Sequence, residues 1–398
     1  MNLASALVTA GHHVVLWSAD FYHQEKRHRT GESAIIRVSE GLEIRLIRSP
    51  GYGRNIGPGR LYDHAVLARN LKSLLRDELT LPDVGFVGYP PIETAAVMTR
   101  WLSVRGIPSL LDVKDKWPSL FLDPLPSPLR PLGRAILSPY YHLARRAMRE
   151  ATGMTAMADS FLEWALKFAG RVRSSRDIVV PLTSAPAGVS PAAVAASRAW
   201  WDAMGVLDDG NPKVCFVGSH SRAFDFKPIA EAAAQIAELH PQCQFIICGR
   251  GECSGEWRGM IGHARNALFP GWIDHGKFNV LADRCLAMLA PYKNTDDFRL
   301  SLPNKIIDAL FLGLPILSPL QGEVAGLIET DEVGLRYGSD ADRSLTHCID
   351  MLIKDSILQR RLSMNARAVY HERFTFERVY GGLVEHLERI ASCSGSAW

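Results

Sequence analysis

Short runs of β-branched and aliphatic residues alternate along the chain with stretches of about 10–15 residues whose apolar positions recur at helical spacing. The alternation predicts parallel sheets assembled from strand–helix–strand units. In the first half it places strands at Val14–Ala19, Leu42–Ser49, Val84–Gly88, Ser109–Val113 and Met154–Ala158, and helices at Leu61–Glu78, Glu93–Arg105 and Arg134–Glu150. The second half repeats the scheme, with strands at Val214–Gly218, Gln244–Gly249, Leu268–Ile273, Leu286–Pro291, Pro315–Pro319 and Leu335–Gly338. Helices at Ser356–Tyr370 and Phe374–Ala391 close the chain. The Pro-, Ala- and Ser-rich run LTSAPAGVSPAAVAASR interrupts the pattern and marks a boundary. The expected class is α/β, with two Rossmann-like doubly wound domains facing across a cleft. They span 1–178 and 213–373, with a linker region at 179–212 and a C-terminal helix and tail at 374–398. Ligands of such sheets bind outside the carboxyl ends of the strands, so the chemistry is expected in the cleft.

Composition narrows this reading. At 398 residues, 47% hydrophobic and 22% charged, the chain has room for two buried cores. It contains no apolar stretch long enough to span a bilayer, and its first residues lack the pattern of a secretory leader. The seven cysteines, 215, 243, 248, 253, 285, 348 and 393, show no CxxC spacing and no ordered histidine partners. They are expected to be reduced, mostly buried thiols of a cytoplasmic protein, with no metal site. Residues 1–178 hold 24 Lys and Arg against 17 Asp and Glu, and the remainder holds 21 against 25. A basic front half suits an anionic partner, such as a phospholipid surface or a phosphate-bearing acceptor. A chance distribution of surface charge reads equally well. No compact basic motif with interleaved aromatics points to nucleic acid.

Candidate chemistry concentrates in SLPNKIIDALFLGLPIL, residues 301–317. Ser301 can cap a helix, Pro303 suits its first turn, and Gly313 can end it in a left-handed conformation. Lys305 and Asp308 lie three apart on one face near its start. The pair can hold a diphosphate and a ribose diol, or form a plain ion pair on a solvated face. The segment Pro118–Glu150 carries Arg130, Arg134, Arg145, Arg146 and Arg149 among Leu, Ile and Tyr residues. Such a piece can lie on an anionic membrane surface or form an ordinary solvated helix face.

The stretch from Asp297 through SLPNKIIDALFLGLPILSPLQGEVAGLI resembles the nucleotide-binding region of family 4 retaining glycosyltransferases, which have the GT-B fold, and is most similar to a bacterial surface-polysaccharide subgroup. The resemblance implies that Asp308 stands where the family holds the ribose, and that Lys305 lies near the phosphates. It further implies that Gly322 and Glu323 open a helix whose free N–H groups face the diphosphate. Gly-Glu at a helix start is also ordinary capping. FVGSHSRAFDFKPIAEAA resembles the family's first strand, turn and helix of the nucleotide domain, with Gly218 and Ser219 in the turn. Gly249 and Arg250 resemble the turn after the next strand, and Trp272 falls in the segment that lines the nucleobase. LLDVKDKWP resembles the subgroup's segment at the fifth front-half strand, which implies that Asp112, Lys114, Asp115 and Trp117 face the cleft.

Some positions depart from the family pattern. Leu300 occupies the place of the first motif glutamate, and the usual phosphate-neutralising Arg and Lys are out of register, leaving Arg222 and Lys227 nearby. The implied reaction is transfer of a sugar from a nucleoside-diphosphate donor to an acceptor hydroxyl with retention, without a metal. The acceptor would be a lipid-linked molecule or a glycan, reached from the cytoplasm or the inner face of a membrane. Asp112, Asp115 and Lys114 are the expected polar groups near the reacting carbon. A sugar-nucleotide epimerase and a non-catalytic sugar-nucleotide-binding or partner protein stay open as alternatives. Finally, AGHHVVLW resembles the junction between the family's first helix and second strand. The first, central strand is therefore expected to lie outside this sequence, with the native frame starting roughly 20–30 residues upstream.

Overall fold

A computed structural model describes residues 1–54, 57–122, 125–183, 188–262 and 264–394. The chain divides into two compact units, one of Met1–Pro181 with the C-terminal segment from Glu377, the other of Leu182–Phe376.

In the first unit β1 (Val14–Ala19) is followed by a small antiparallel hairpin of β2 (Phe21–Tyr22) and β3 (Arg27–His28). Strands β4 (Ala34–Ser39) and β5 (Leu42–Ile47) complete a sheet ordered β1-β5-β4, parallel at β1-β5 and antiparallel at β5-β4. Then β6 (Gly85–Tyr89), β7 (Ser109–Val113), β8 (Gly153–Ala156) and β9 (Ile178–Val179) form a parallel sheet in chain order. Among the described residues no strand joins the two sheets. The sequence SLLDV of β7 is buried throughout, whereas VVLWSA of β1 is half-buried along its whole length.

The helix Phe376–Ser394 packs Val379, Leu383, Leu387 and Ile390 against Leu110 and Val180. The expected C-terminal appendage is thus part of the first unit's core. The expected single helix Arg134–Glu150 is broken into Arg130–Ile136 and Ser138–Glu150. Pro139 explains the break, because it lacks an N–H and its ring would clash with the preceding turn.

The second unit carries one six-stranded parallel sheet. Its strands are β10 (Lys213–Val217), β11 (Gln244–Cys248), β12 (Ala267–Gly271), β13 (Ala287–Leu289), β14 (Ile316–Ser318) and β15 (Gly334–Arg336), in the order β12-β11-β10-β13-β14-β15. The central strands read as continuous apolar runs because helices cover both faces. The helix Lys227–Leu239, for example, buries Ile229, Ala232, Ala233 and Ile236. The sheet grows outward from β10 to β12, then restarts on the other side of β10 with β13, so a topological switch lies between β10 and β13. Part of the expected linker forms the helix Pro191–Ala203, which buries Trp201 and donates its indole N–H to the Lys277 carbonyl at 2.8 Å.

Candidate functional site

All six strands of the second sheet run parallel, so the loops after them gather along one edge, and the switch point lies within it. Three glycines form its floor. Gly218 follows β10, Gly249 follows β11 and Gly271 ends β12, with φ of 153°, 132° and 87°. The Gly218 N–H donates to the Cys248 carbonyl at 3.0 Å and the Gly249 N–H to the Gly271 carbonyl at 2.7 Å. A Cβ on Gly249 would stand 1.8 Å from the Gly218 carbonyl oxygen, so the turns approach more closely than any side chain allows.

Lys305 comes up beneath this floor from the helix Asn304–Leu312. Its Nζ donates to the Val217 carbonyl at 2.6 Å and lies 5.1 Å from the centre of the Phe216 ring. A Cβ on Gly218 would fall 1.5 Å from that Nζ. Burial lowers the Lys305 pKa to about 8, with Asp308 pulling it back up. Lys305 is therefore held by a backbone carbonyl rather than by Asp308, unlike the simple ion pair open at the level of sequence. Asp308 keeps an exposed edge yet is crowded by protein, and desolvation raises its pKa against the pull of Lys305 and His275.

The helix itself starts differently from expectation. Ser301 donates its hydroxyl to the Asp297 carbonyl at 2.9 Å, closing the preceding turn Asp296–Leu300, and Pro303 is the N-cap. Leu302 precedes a proline and so stays extended, which moves the helix start to Asn304. Gly313 ends it at φ 67°, ψ 30°, as expected for a left-handed cap.

Gly322 caps the helix Glu323–Asp331 at φ 72°, where a Cβ would meet the Arg299 carbonyl at 2.0 Å. The first N–H groups of this helix have no partner within the helix itself, and its dipole favours negative charge there. Ser219 and Arg250 are exposed in their turns, and Trp272 is 62% exposed just past β12. The positive charges of Arg222 and Lys293 both bear on the Cys253 thiol, which burial pushes upward. Lys227 lies apart from this group. It opens its own helix at the surface, 3.7 Å from Glu231. Leu300 is half-buried at the end of its short helix.

His220, His275 and Lys293 were not singled out by sequence. The His220 Nδ1 lies 2.9 Å from the Ser254 hydroxyl, which accepts the Gly251 N–H at 2.9 Å and so ties the turn after β11 to the turn after β10. Burial lowers the His220 pKa. A histidine two residues past a strand-ending glycine was the available signal.

In the first unit Asp112 on β7 accepts the Thr155 hydroxyl at 2.7 Å and pairs with the Lys114 Nζ at 3.1 Å. Asp115 lies just beyond, its pKa raised by burial and opposed by Arg60. Trp117, expected to face the cleft, is buried against His64, Phe121 and Arg60 within the first unit. These residues border a second titratable cluster that the sequence reading did not identify. Burial pushes His64 down to about 4, with Arg60 adding to the shift, and its Nδ1 stands 3.7 Å from the Glu93 carboxylate. Burial also raises Glu93, which accepts the Tyr140 hydroxyl at 2.9 Å. The signal was Asp63-His64 falling on the same buried stripe as Leu67, Ala68 and Leu71 of the helix Pro58–Leu74.

Among the described residues no three His, Cys, Asp or Glu side chains cluster as metal ligands, and no helix is long and apolar enough to cross a membrane. Cysteines 215, 243, 248, 253, 285 and 348 are buried and unbridged. The Cys393 side chain lies outside the described residues.

Residues 211–355 match the family model described as glycosyl transferases group 1. No curated protein matches the chain by sequence. Among solved structures, the sucrose-phosphate synthase (tll1590) from Thermosynechococcus elongatus aligns with 98% of this chain and 92% of its own, at 16% identity and a TM-score of 0.69. WaaG, a glycosyltransferase involved in lipopolysaccharide biosynthesis, aligns with 100% of this chain and 95% of its own, at 14% identity and a TM-score of 0.65. Anabaena Alr3699/HepE in complex with UDP aligns with 87% of this chain and 86% of its own, at 16% identity and a TM-score of 0.60. At such identities these likenesses speak for the fold. They show a fold of the GT-B type, and within it residues 211–355 are similar to the glycosyl transferases group 1 family.

Proposed function

We propose that the second unit binds a nucleoside-diphosphate sugar at the β10–β13 switch point and that the enzyme transfers the sugar with retention to a hydroxyl of a surface polysaccharide or glycolipid precursor. The observation that carries the proposal is Lys305, a half-buried cation held by the Val217 carbonyl directly against the Gly218 turn at the switch point. In this reading Gly218, Ser219, Gly249 and Arg250 line the diphosphate through backbone and side chain. Arg222, Lys293 and the N-terminus of the helix Glu323–Asp331 neutralise it, with Lys227 as a more distant cation. Asp308 accepts from the ribose hydroxyls, and Trp272 offers an exposed ring to the base.

The bond from the anomeric carbon to the diphosphate oxygen breaks, and the fixed positive charges stabilise the departing diphosphate. The acceptor oxygen bonds to the same face of that carbon, and its proton passes to the departing phosphate or to a carboxylate. Asp112, Lys114 and Asp115 are the first unit's candidates for sugar contact and proton handling. A lipid-linked or glycan acceptor, met in the cytoplasm at the inner face of a membrane, suits the basic first half.

Thermal shift against UDP-, GDP- and other nucleotide sugars tests donor binding, since a ligand at 100 times its Kd stabilises by about 2.7 kcal/mol. The preferred donor should then release its nucleoside diphosphate only when an acceptor is present, and the product should keep the donor's anomeric configuration by NMR. A chain that no nucleotide sugar stabilises overturns the donor site, and an inverted product overturns retention alone.

Lys305 also gives the affinity a pH signature. In the free protein it loses its proton near pH 8, and a bound diphosphate favours the charged form. Donor affinity should be level at neutral pH and fall above pH 8 by up to about tenfold per unit. Lys305→Met should flatten this part of the profile. An unchanged slope in that variant would assign the titration to another group.

A further inference from the structure

The first unit holds a polar cavity that the donor reading does not use. It has a volume of about 400 Å³ and lies between the helices Arg130–Ile136 and Ser138–Glu150 and the end of the helix Asp159–Ala169. Ser138, Tyr141, His142 and Arg145 recur at i, i+3, i+4 and i+7, so one face of the helix supplies four groups to it. Arg134 comes from the preceding helix, and the Ser119 hydroxyl lies 3.3 Å from that of Tyr141.

The charge that the described residues bring to this cavity is one-sided. Among the described residues no carboxylate lines it, and neither Arg134 nor Arg145 forms an ion pair. Their neighbour Arg146, on the other side of the helix, is neutralised by Glu150 at 3.0 Å. Arg145 is fixed in place, with its Nε donating to the Phe168 carbonyl at 3.3 Å and its guanidinium 5.2 Å from the Phe168 ring centre. Two guanidinium groups, an imidazole and three hydroxyls around one cavity suit a tetrahedral oxyanion, because the fork of an arginine matches phosphate oxygens.

We propose that this cavity binds a phosphate group, carried either by a lipid headgroup or by a soluble phosphate ester. The inference goes beyond the donor site and does not rest on it.

The test measures calorimetric binding of inorganic phosphate, and cosedimentation with phosphatidylcholine vesicles with and without phosphatidylglycerol. Wild type is compared with Arg134→Gln and with Arg134→Gln/Arg145→Gln. Wild type should bind phosphate saturably, and the double variant should bind at least roughly tenfold more weakly. Arg134→Gln replaces an exposed side chain, and an unchanged Tm in that variant shows that its loss of binding is not misfolding. Phosphatidylglycerol-dependent cosedimentation that is also lost in the variants assigns the phosphate to a lipid headgroup. Phosphate binding without vesicle binding assigns it to a soluble ester. The proposal is overturned if wild type binds neither probe, or if the double variant binds both as wild type does. Nucleotide-sugar affinity should be the same in all three proteins, which keeps a failure here distinct from a failure of the donor site.

Discussion

Gly249→Ala is expected to cost the second unit about 2–6 kcal/mol, combining a strained positive φ with an overpacked contact. The new methyl would stand 1.8 Å from the Gly218 carbonyl oxygen and 2.8 Å from its carbon, and both are backbone atoms. Neither can step aside, because Gly218 and Gly249 are each hydrogen-bonded to the neighbouring strand end. Relief would require pulling β10 and β11 apart at the edge where the ligand is proposed to bind. At about 2–4 °C per kcal/mol for a unit of this size, calorimetry should show a fall of at least about 4 °C in Tm. Gly326→Ala is the control. Gly326 lies inside the helix Glu323–Asp331 with nothing within 4 Å of the added Cβ, so alanine should be neutral or stabilising by up to about 1 kcal/mol. Equal melting of Gly249→Ala and wild type would mean that the close approach of the turns is not maintained in solution.

Lys305→Ala should weaken donor binding by about 1.5–3 kcal/mol, roughly 10- to 150-fold, and Asp308→Ala should do the same. The two should nonetheless differ in their effect on the fold. Asp308 has an exposed edge, and its removal should leave Tm nearly unchanged. Lys305 donates to the Val217 carbonyl, so its alanine variant leaves that oxygen without its donor and should also lose some stability. A depressed lysine pKa adds a second signature. Between about pH 8 and the unfolded value of 10.5 the unfolded chain keeps a proton that the folded one releases. Wild-type stability should therefore rise with pH across that window, and Lys305→Ala should lose this rise. Titration calorimetry with the preferred donor decides the binding claim, and unchanged affinity in both variants would remove the pair from the site.

Much of this architecture could be read before folding, because its signals are local. The apolar run of Ser109–Val113 and the left-handed glycine at 313 need only neighbouring residues to be recognised, and they lie where expected. β4 escaped notice because, as an edge strand with Ile35 and Val38 exposed, it lacks the buried face that produces an alternating pattern. The break at Leu137 was also missed, although Pro139 was there to signal it.

The contents of the candidate site divide along the same line. Lys305, Asp308, Gly218 and Gly322 could be picked out as residue types near helix starts and strand ends. Only packing decides what each one touches. Lys305 bonds a carbonyl 88 residues away rather than its helical neighbour Asp308, and it does so because parallel pairing sets β10 beside β13 and over the helix Asn304–Leu312. His64 and Glu93 became a depressed histidine and a raised carboxyl through burial between separate helices, an effect no single segment encodes. Spacing along the chain records which groups are available, whereas desolvation and contact order are properties of the folded state, and these set the charge and the partners of each group.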